Sequence, residues 1–104
     1  MNEIKSRFSL ILTKEEMERL SFKMMKDGGI EVVANVHGLK VYQAKRFINN
    51  IINIAKTSIK MDVIHGYNHG TAIKDMIKNN IGNSKVYDII QDQKNMGVTH
   101  IFAA

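Results

Sequence analysis

Three of the four histidines in this chain stand directly before a glycine: His37-Gly38, His65-Gly66 and His69-Gly70. An imidazole can donate, accept or transfer a proton near neutral pH. A glycine beside it permits a tight turn and a close backbone approach to a ligand. Residues 65 to 70 read His-Gly-Tyr-Asn-His-Gly without interruption, and Thr71 then leads into an apolar-periodic segment. A helix starting near Thr71 turns unpaired backbone N–H groups and the positive end of its dipole towards that loop. Histidines, glycines and a helix N-terminus in this order make a phosphate cradle. Each feature taken singly also has a plain structural use, as a strand-end polar group or an ordinary turn. Their convergence on one edge of a sheet is what favours a site.

The same histidines raise the question of a metal. His37, His65 and His69 could offer three imidazole nitrogens with an open position, the donor set of a catalytic zinc. However, the four-residue spacing of His65 and His69 crosses a glycine-bearing loop rather than a continuous helix, and neither motif holds an acid to orient a ligating histidine. No metal-ligand set is assigned and no cofactor is expected, with a divalent metal kept as the lesser alternative.

The elements that must position these residues are legible in the hydrophobic pattern. Thr13-Lys14-Glu15-Glu16 reads as a capping box, with Met17, Leu20 and Met24 at helical spacing and Gly28-Gly29 as the stop. That predicts an N-terminal helical extension over residues 1–29, ahead of the domain proper at 30–104. Ile30 to Val36 is a near-continuous apolar run of β-branched character, the mark of a strand buried on both faces. Val41, Ala44, Ile48, Ile51, Ile52, Ala55 and Ile59 form the apolar stripe of the clearest helix. Lys60 to His65 reads as a second strand. Ile73, Met76, Ile77 and Ile81 read as a further helix closed by Gly82, and Lys85 to Ile90 and Val98 to Phe102 as two last strands. The expected fold is α/β: a two-layer sandwich with a mixed four-stranded sheet in the order β-α-β-α-β-β, preceded by the N-terminal helix. The two His-Gly loops then leave neighbouring parallel strands at their carboxyl ends, where ligands of open α/β sheets bind.

Composition narrows the function classes. The 104 residues allow one modest core. The absence of cysteine excludes disulfides, thiolate zinc sites and cysteine nucleophiles. The apolar run from Phe8 to Leu12 is too short for a signal-peptide core or a membrane span, so a cytoplasmic setting without membrane contact is expected. Formal net charge is +5. Residues 1–31 carry six basic and six acidic side chains and residues 62–104 four of each, so the excess lies in Lys40, Lys45, Arg46, Lys56 and Lys60. A localised basic patch of this kind suits phosphates, against the rival reading of a solvated helix face in a lysine-rich chain.

Three motifs carry a resemblance to a known family. Ala34-Asn35-Val36-His37-Gly38-Leu39 is similar to a signature in which an apolar strand ends Leu-Asp-x-His-Gly. Val63-Ile64-His65-Gly66-Tyr67-Asn68-His69-Gly70 is similar to an Ile-His-Gly-Lys-Gly-x-Gly loop, and Gly97-Val98-Thr99-His100-Ile101 to a closing strand of the form Gly-x-Thr plus a β-branched residue. In order and separation these resemble the Smr (small MutS-related) domain over Ile30 to Phe102. The resemblance implies a sandwich like the C-terminal domain of a bacterial translation initiation factor. It also implies binding to DNA or RNA, in some members at the ribosome, and in several members endonuclease activity.

In the family the Asp-x-His pair is associated with cleavage, and residues two apart on a strand share a face. Here His37, His65 and Asn35 hold the positions that would be catalytic, with Asn35 where the family has aspartate. An asparagine can fix a histidine tautomer but takes no proton. Residues expected to bind nucleic acid are Gly38, Lys45, Arg46, Lys56, Gly66, Tyr67, Asn68, His69, Gly70 and Thr71. Asn68 departs from the family's glycine, and Tyr67 exchanges a common lysine for an aromatic surface that can stack on a base. Binding to nucleic acid with weak or no endonuclease activity is the expected function. The alternative is a non-catalytic protein- or ribosome-interaction module on the same fold. The methionine-rich first helix suits packing on its own core or on a partner, which leaves the oligomeric state open.

Overall fold

A computed structural model describes residues 2–67 and 70–104. The chain opens with helix α1 (Asn2–Ile11) and the short helix α2 (Lys14–Glu18), followed by strands β1 (Leu20–Met24) and β2 (Ile30–Asn35). Helix α3 (Val41–Ala55), strand β3 (Ile59–Ile64), helix α4 (Ala72–Asn80) and strands β4 (Val86–Gln91) and β5 (Val98–Ala103) complete it. One mixed sheet has the order β1-β2-β3-β5-β4. Only β2 and β3 run parallel; the other neighbours are antiparallel.

The sheet has five strands rather than four, and the extra one comes from the region expected to be helical. The capping box is present as expected, with Glu16 N–H donating to Thr13 Oγ1 at 3.1 Å and Thr13 N–H to Glu16 Oε1 at 2.9 Å. The helix it starts nevertheless ends at Glu18. Leu20 and Met24 are four apart, a spacing that satisfies the helical and the strand period equally. Phe22 decides between them, because Leu20, Phe22 and Met24 alternate with Ser21 and Lys23, as a half-buried strand requires. Gly28, with φ at 89°, then turns a β1–β2 hairpin instead of capping a helix.

The segment before Thr13 is the first helix proper. Ile4, Phe8 and Leu12 recur every four residues and are buried, and the rings of Phe8 and Phe22 meet edge to face at 5.1 Å. These side chains join Phe47, Ile48, Ile51 and Ile52 of α3, Met76 and Ile77 of α4, and the alternate strand residues Ile30, Val32, Ala34, Met61, Val63 and Ile101 in one core. A single parity of each central strand is fully buried, so the helices cover one face of the sheet. The stripe read along α3 stops at Ala55. Lys56 adopts a left-handed conformation (φ 52°) that ends the helix, and Ile59 belongs to β3. No described helix is long and apolar enough to cross a membrane.

On the uncovered face, His100 of β5 stands opposite Asp62 of β3. Its Nδ1 lies 2.7 Å from Asp62 Oδ1 and its Nε2 2.8 Å from Asp92 Oδ1. The Asp92 hydrogen bond first, and Asp62 after it, raise the imidazole pKa above its ordinary 6.5. The stabilisation is therefore complete below about pH 6.5, where folded and unfolded chains are both protonated, and is lost as pH rises through the raised folded value. Asp92 is held below its usual range by the same pair, so it stays ionised throughout. His100→Gln is expected to destabilise the protein more at about pH 6 than at about pH 9 in paired urea titrations. An equal loss at both would show that the imidazole acts only by packing.

Candidate functional site

The parallel register of β2 and β3 pairs Asn35 with Ile64, so the segments that follow them leave one edge of the sheet together. Val36 N–H extends the ladder to Ile64 O at 2.9 Å. The N–H groups of His65 and Gly66 both donate to Gly97 O, at 2.9 and 3.1 Å, bringing in the turn before β5. The two His-Gly loops touch. Gly66 has φ at +76°, and a Cβ built on it would lie 2.5 Å from Cδ2 of His37. The imidazole of His37 therefore occupies the space a side chain at position 66 would need.

Between these loops and the starts of α3 and α4 lies a cavity of about 460 Å³. His37, Gly38, His65, Gly66, Tyr67 and Gly70 line it from the loops. Lys40 at the N-cap of α3 and Lys74 in the first turn of α4 line it from the helices. Its described lining holds two lysines and no carboxylate, so its electrostatics suit an anion. Both helices direct their N-terminal ends, where backbone N–H groups lack helical partners, into this part of the molecule.

Not all expected residues come together. Asn35 does not line the cavity. Its Oδ1 accepts the backbone N–H of His37 at 3.0 Å and so shapes the turn that carries His37. Thr71 stands at the N-cap of α4 without a side-chain capping bond, its hydroxyl donating instead to Asp75 Oδ2 at 2.9 Å. Arg46 faces away and pairs with Glu16 at 3.8 Å. Lys56, at the opposite end of α3, borders a separate depression with Glu3 and Arg7. Lys45 lies in the groove beside the cavity. Asn68 and His69 fall outside the described residues.

No protein-family model, curated protein or solved structure matches the chain. The functional reading therefore rests on the site itself.

His65 is buried and both its ring nitrogens are engaged. A carbonyl can only accept, so Nδ1 carries the proton and donates to Gly66 O at 2.7 Å. Nε2 then accepts from the Thr99 hydroxyl at 2.8 Å, in preference to the 3.3 Å contact of that hydroxyl with Gln91 Oε1. Burial lowers the His65 pKa, Gly66 O opposes this, and the charge of Lys74 adds to the lowering. The neutral ring is a strap that ties the second loop to β5. The same engagement leaves no nitrogen for a metal, and no group of three or more His, Asp or Glu side chains among the described residues is placed to ligate one.

Three side chains outside the expected site residues are integral to it, one of them, Lys40, from the expected basic patch. Lys40 and Lys74 are its cations. Arg19 holds its first loop, donating from Nη1 to the carbonyls of Asn35 (3.1 Å) and His37 (3.0 Å). Arg19 also pairs with Glu15 at 3.4 Å, so α2 is anchored to the loop it supports.

Proposed function

We propose that this chain is an Smr-like nucleic-acid-binding module that receives a backbone phosphate of DNA or RNA, free or on the ribosome, in the cavity between its two His-Gly loops. The observation that carries the reading is the convergence of Lys40, Lys74, two helix N-termini and the touching loops on a cavity whose described lining has no carboxylate. A phosphate there receives charge and directional N–H donors together, which is how helix N-termini and glycine loops hold anions elsewhere.

The same residues favour binding over cleavage. Proton transfer needs a group free to change its protonation. His65 is committed to Gly66 and Thr99, and Asn35 contributes an amide oxygen already used by a backbone N–H. His37 lines the cavity with its ring packed against Gly66. In the cytoplasmic setting expected from the sequence, the module binds nucleic acid and turns it over slowly or not at all.

The test is a salt titration. Lys40→Ala with Lys74→Ala should reduce the slope of log affinity against log salt by about 1.4–1.8, from roughly 0.7–0.9 per lost phosphate contact. Lys56→Ala, on the far end of α3, should leave the slope unchanged. A double variant that keeps its slope while folded would remove the cavity from the interface. Equal losses from Lys56→Ala would return the charge to a diffuse surface effect.

A further inference from the structure

The cavity does not end at its own wall. Val41 and Ala72 line both it and a second depression between α3 and α4, so the two adjoin. The second depression is bordered by Tyr42 and Lys45 on α3 and by Asp75, Asn79 and Asn80 on α4. Two tyrosines thus stand along one path, Tyr67 at the cavity and Tyr42 at the groove, and they are 58% and 64% exposed. Lys45 reaches along the floor to the end of α4, where a Cβ built on Gly82 would lie 3.9 Å from its Nζ.

We infer that the nucleic acid bound here is an unpaired strand, running from the cavity into the α3–α4 groove with bases stacked on Tyr67 and Tyr42. This rests on the phosphate-binding reading of the cavity and adds the strandedness and course of the ligand. A base within a duplex already has both faces stacked and offers no π-face to a tyrosine. An unpaired strand offers one per nucleotide. Exposed aromatics alternating with lysines along a groove are what such a strand needs, since stacking holds the bases while cations follow the backbone. Asp75 is the one carboxylate among the described residues lining the path, and its Oδ2 accepts the Thr71 hydroxyl on the α4 side. The phosphates therefore follow the α3 wall, past Lys45, and the polar Asn79 and Asn80 edge faces the bases. Shared chemistry does not separate RNA from DNA here, because both present the same phosphates and base faces.

The experiment uses fluorescence anisotropy with an end-labelled oligonucleotide of about 12 nucleotides, within the span of single-strand sites. It is run as RNA and as DNA, single-stranded and annealed to its complement. Wild type is expected to bind the single strand at least tenfold more tightly than the duplex. Tyr42→Ala should weaken single-strand binding roughly 5- to 150-fold, the effect of one base stack, with duplex binding little changed. Tyr42→Phe should retain wild-type affinity, and Tyr87→Ala, an exposed tyrosine on β4 outside the path, should do the same. A higher affinity for RNA would assign the strand to RNA, and equal affinities to either.

Duplex binding as tight as single-strand binding would overturn the inference, as would Tyr42→Ala at wild-type affinity. In either case a salt slope that still responds to Lys40 and Lys74 would leave the phosphate-binding reading standing. No binding of any oligonucleotide would overturn both.

Discussion

Replacing Phe8 with alanine is expected to remove about 3–5 kcal/mol of folding free energy, the range for truncating a fully buried aromatic. Phe8 is 0% exposed and meets Phe22 edge to face at 5.1 Å, joining α1 to β1 across the core that α3 completes. Single domains of this size hold only about 5–15 kcal/mol in total, so the loss is a large part of the whole. At roughly 4–8 °C per kcal/mol the midpoint should fall on the order of 20 °C, read by circular dichroism and checked by urea titration. A fall below about 1 kcal/mol would mean that α1 is docked loosely on a body that folds without it. The expected loss makes the first residues part of the domain's core, although they read as an extension ahead of it.

That difference has a physical origin. Sequence periods identify elements well where one period excludes the other. Ala44, Ile48, Ile51, Ile52 and Ala55 fit only a helix, and α3 forms there. Ile30 to Val36 and Val98 to Phe102 fit only strands, and β2 and β5 form within a residue or two of those bounds. The failures came where the periods agree or where apolar residues are sparse. Leu20 and Met24 fit both periods, while in α1 Ile4 and Phe8 are separated by Lys5, Ser6 and Arg7, and the exposed Leu10 and Ile11 beside the buried Leu12 blur the helical stripe. Tertiary contact with Phe22 and α3 settles both segments, and no local pattern contains that contact.

The candidate site is legible in its loops and only in part in its charges. His37-Gly38 and His65-Gly66 lie on neighbouring parallel strands, and the topology alone brings their ends together. Charge along the chain places Lys40 and Lys45 in one basic stretch but does not show which of its cations share a surface. Lys45, Arg46 and Lys56 are close in sequence but face a groove, an ion pair with Glu16 and the far end of α3 respectively. Lys74 lies in a segment whose charges balance, so no tally along the chain reveals it. It meets Lys40 only because α3 and α4 both begin at the same sheet edge. Arg19 was hidden for the same reason, since its partners Asn35 and His37 are carbonyl groups, which leave no mark on a side-chain pattern.

Gly66 carries the second large prediction, because two separate penalties meet at one position. Its φ of +76° lies in the left-handed region, where an L side chain costs about 1–2 kcal/mol. Beyond that, a Cβ would stand 2.5 Å from His37 Cδ2 and 3.2 Å from its Nε2, so Gly66→Ala must move the imidazole off the second loop. Gly97 packs on the other side, its own Cβ position 3.1 Å from Gly66 Cα, so the backbone of residue 66 has little room to retreat. Gly38 is the natural control: its φ is +84°, but a Cβ there meets nothing within 4 Å. Gly38→Ala should therefore show the backbone penalty alone. Gly66→Ala should cost at least about 1 kcal/mol more in stability and weaken oligonucleotide binding tenfold or more, since the ring it displaces forms the cavity wall. The displaced group can be identified by a double-mutant cycle. In a His37→Ala background, Gly66→Ala should lose the collision and fall to the cost of Gly38→Ala, giving a coupling of about 1 kcal/mol or more. Additive losses, with Gly66→Ala equally costly whether or not the imidazole is present, would show that the two His-Gly loops do not bear on one another and that the site is not built from their contact.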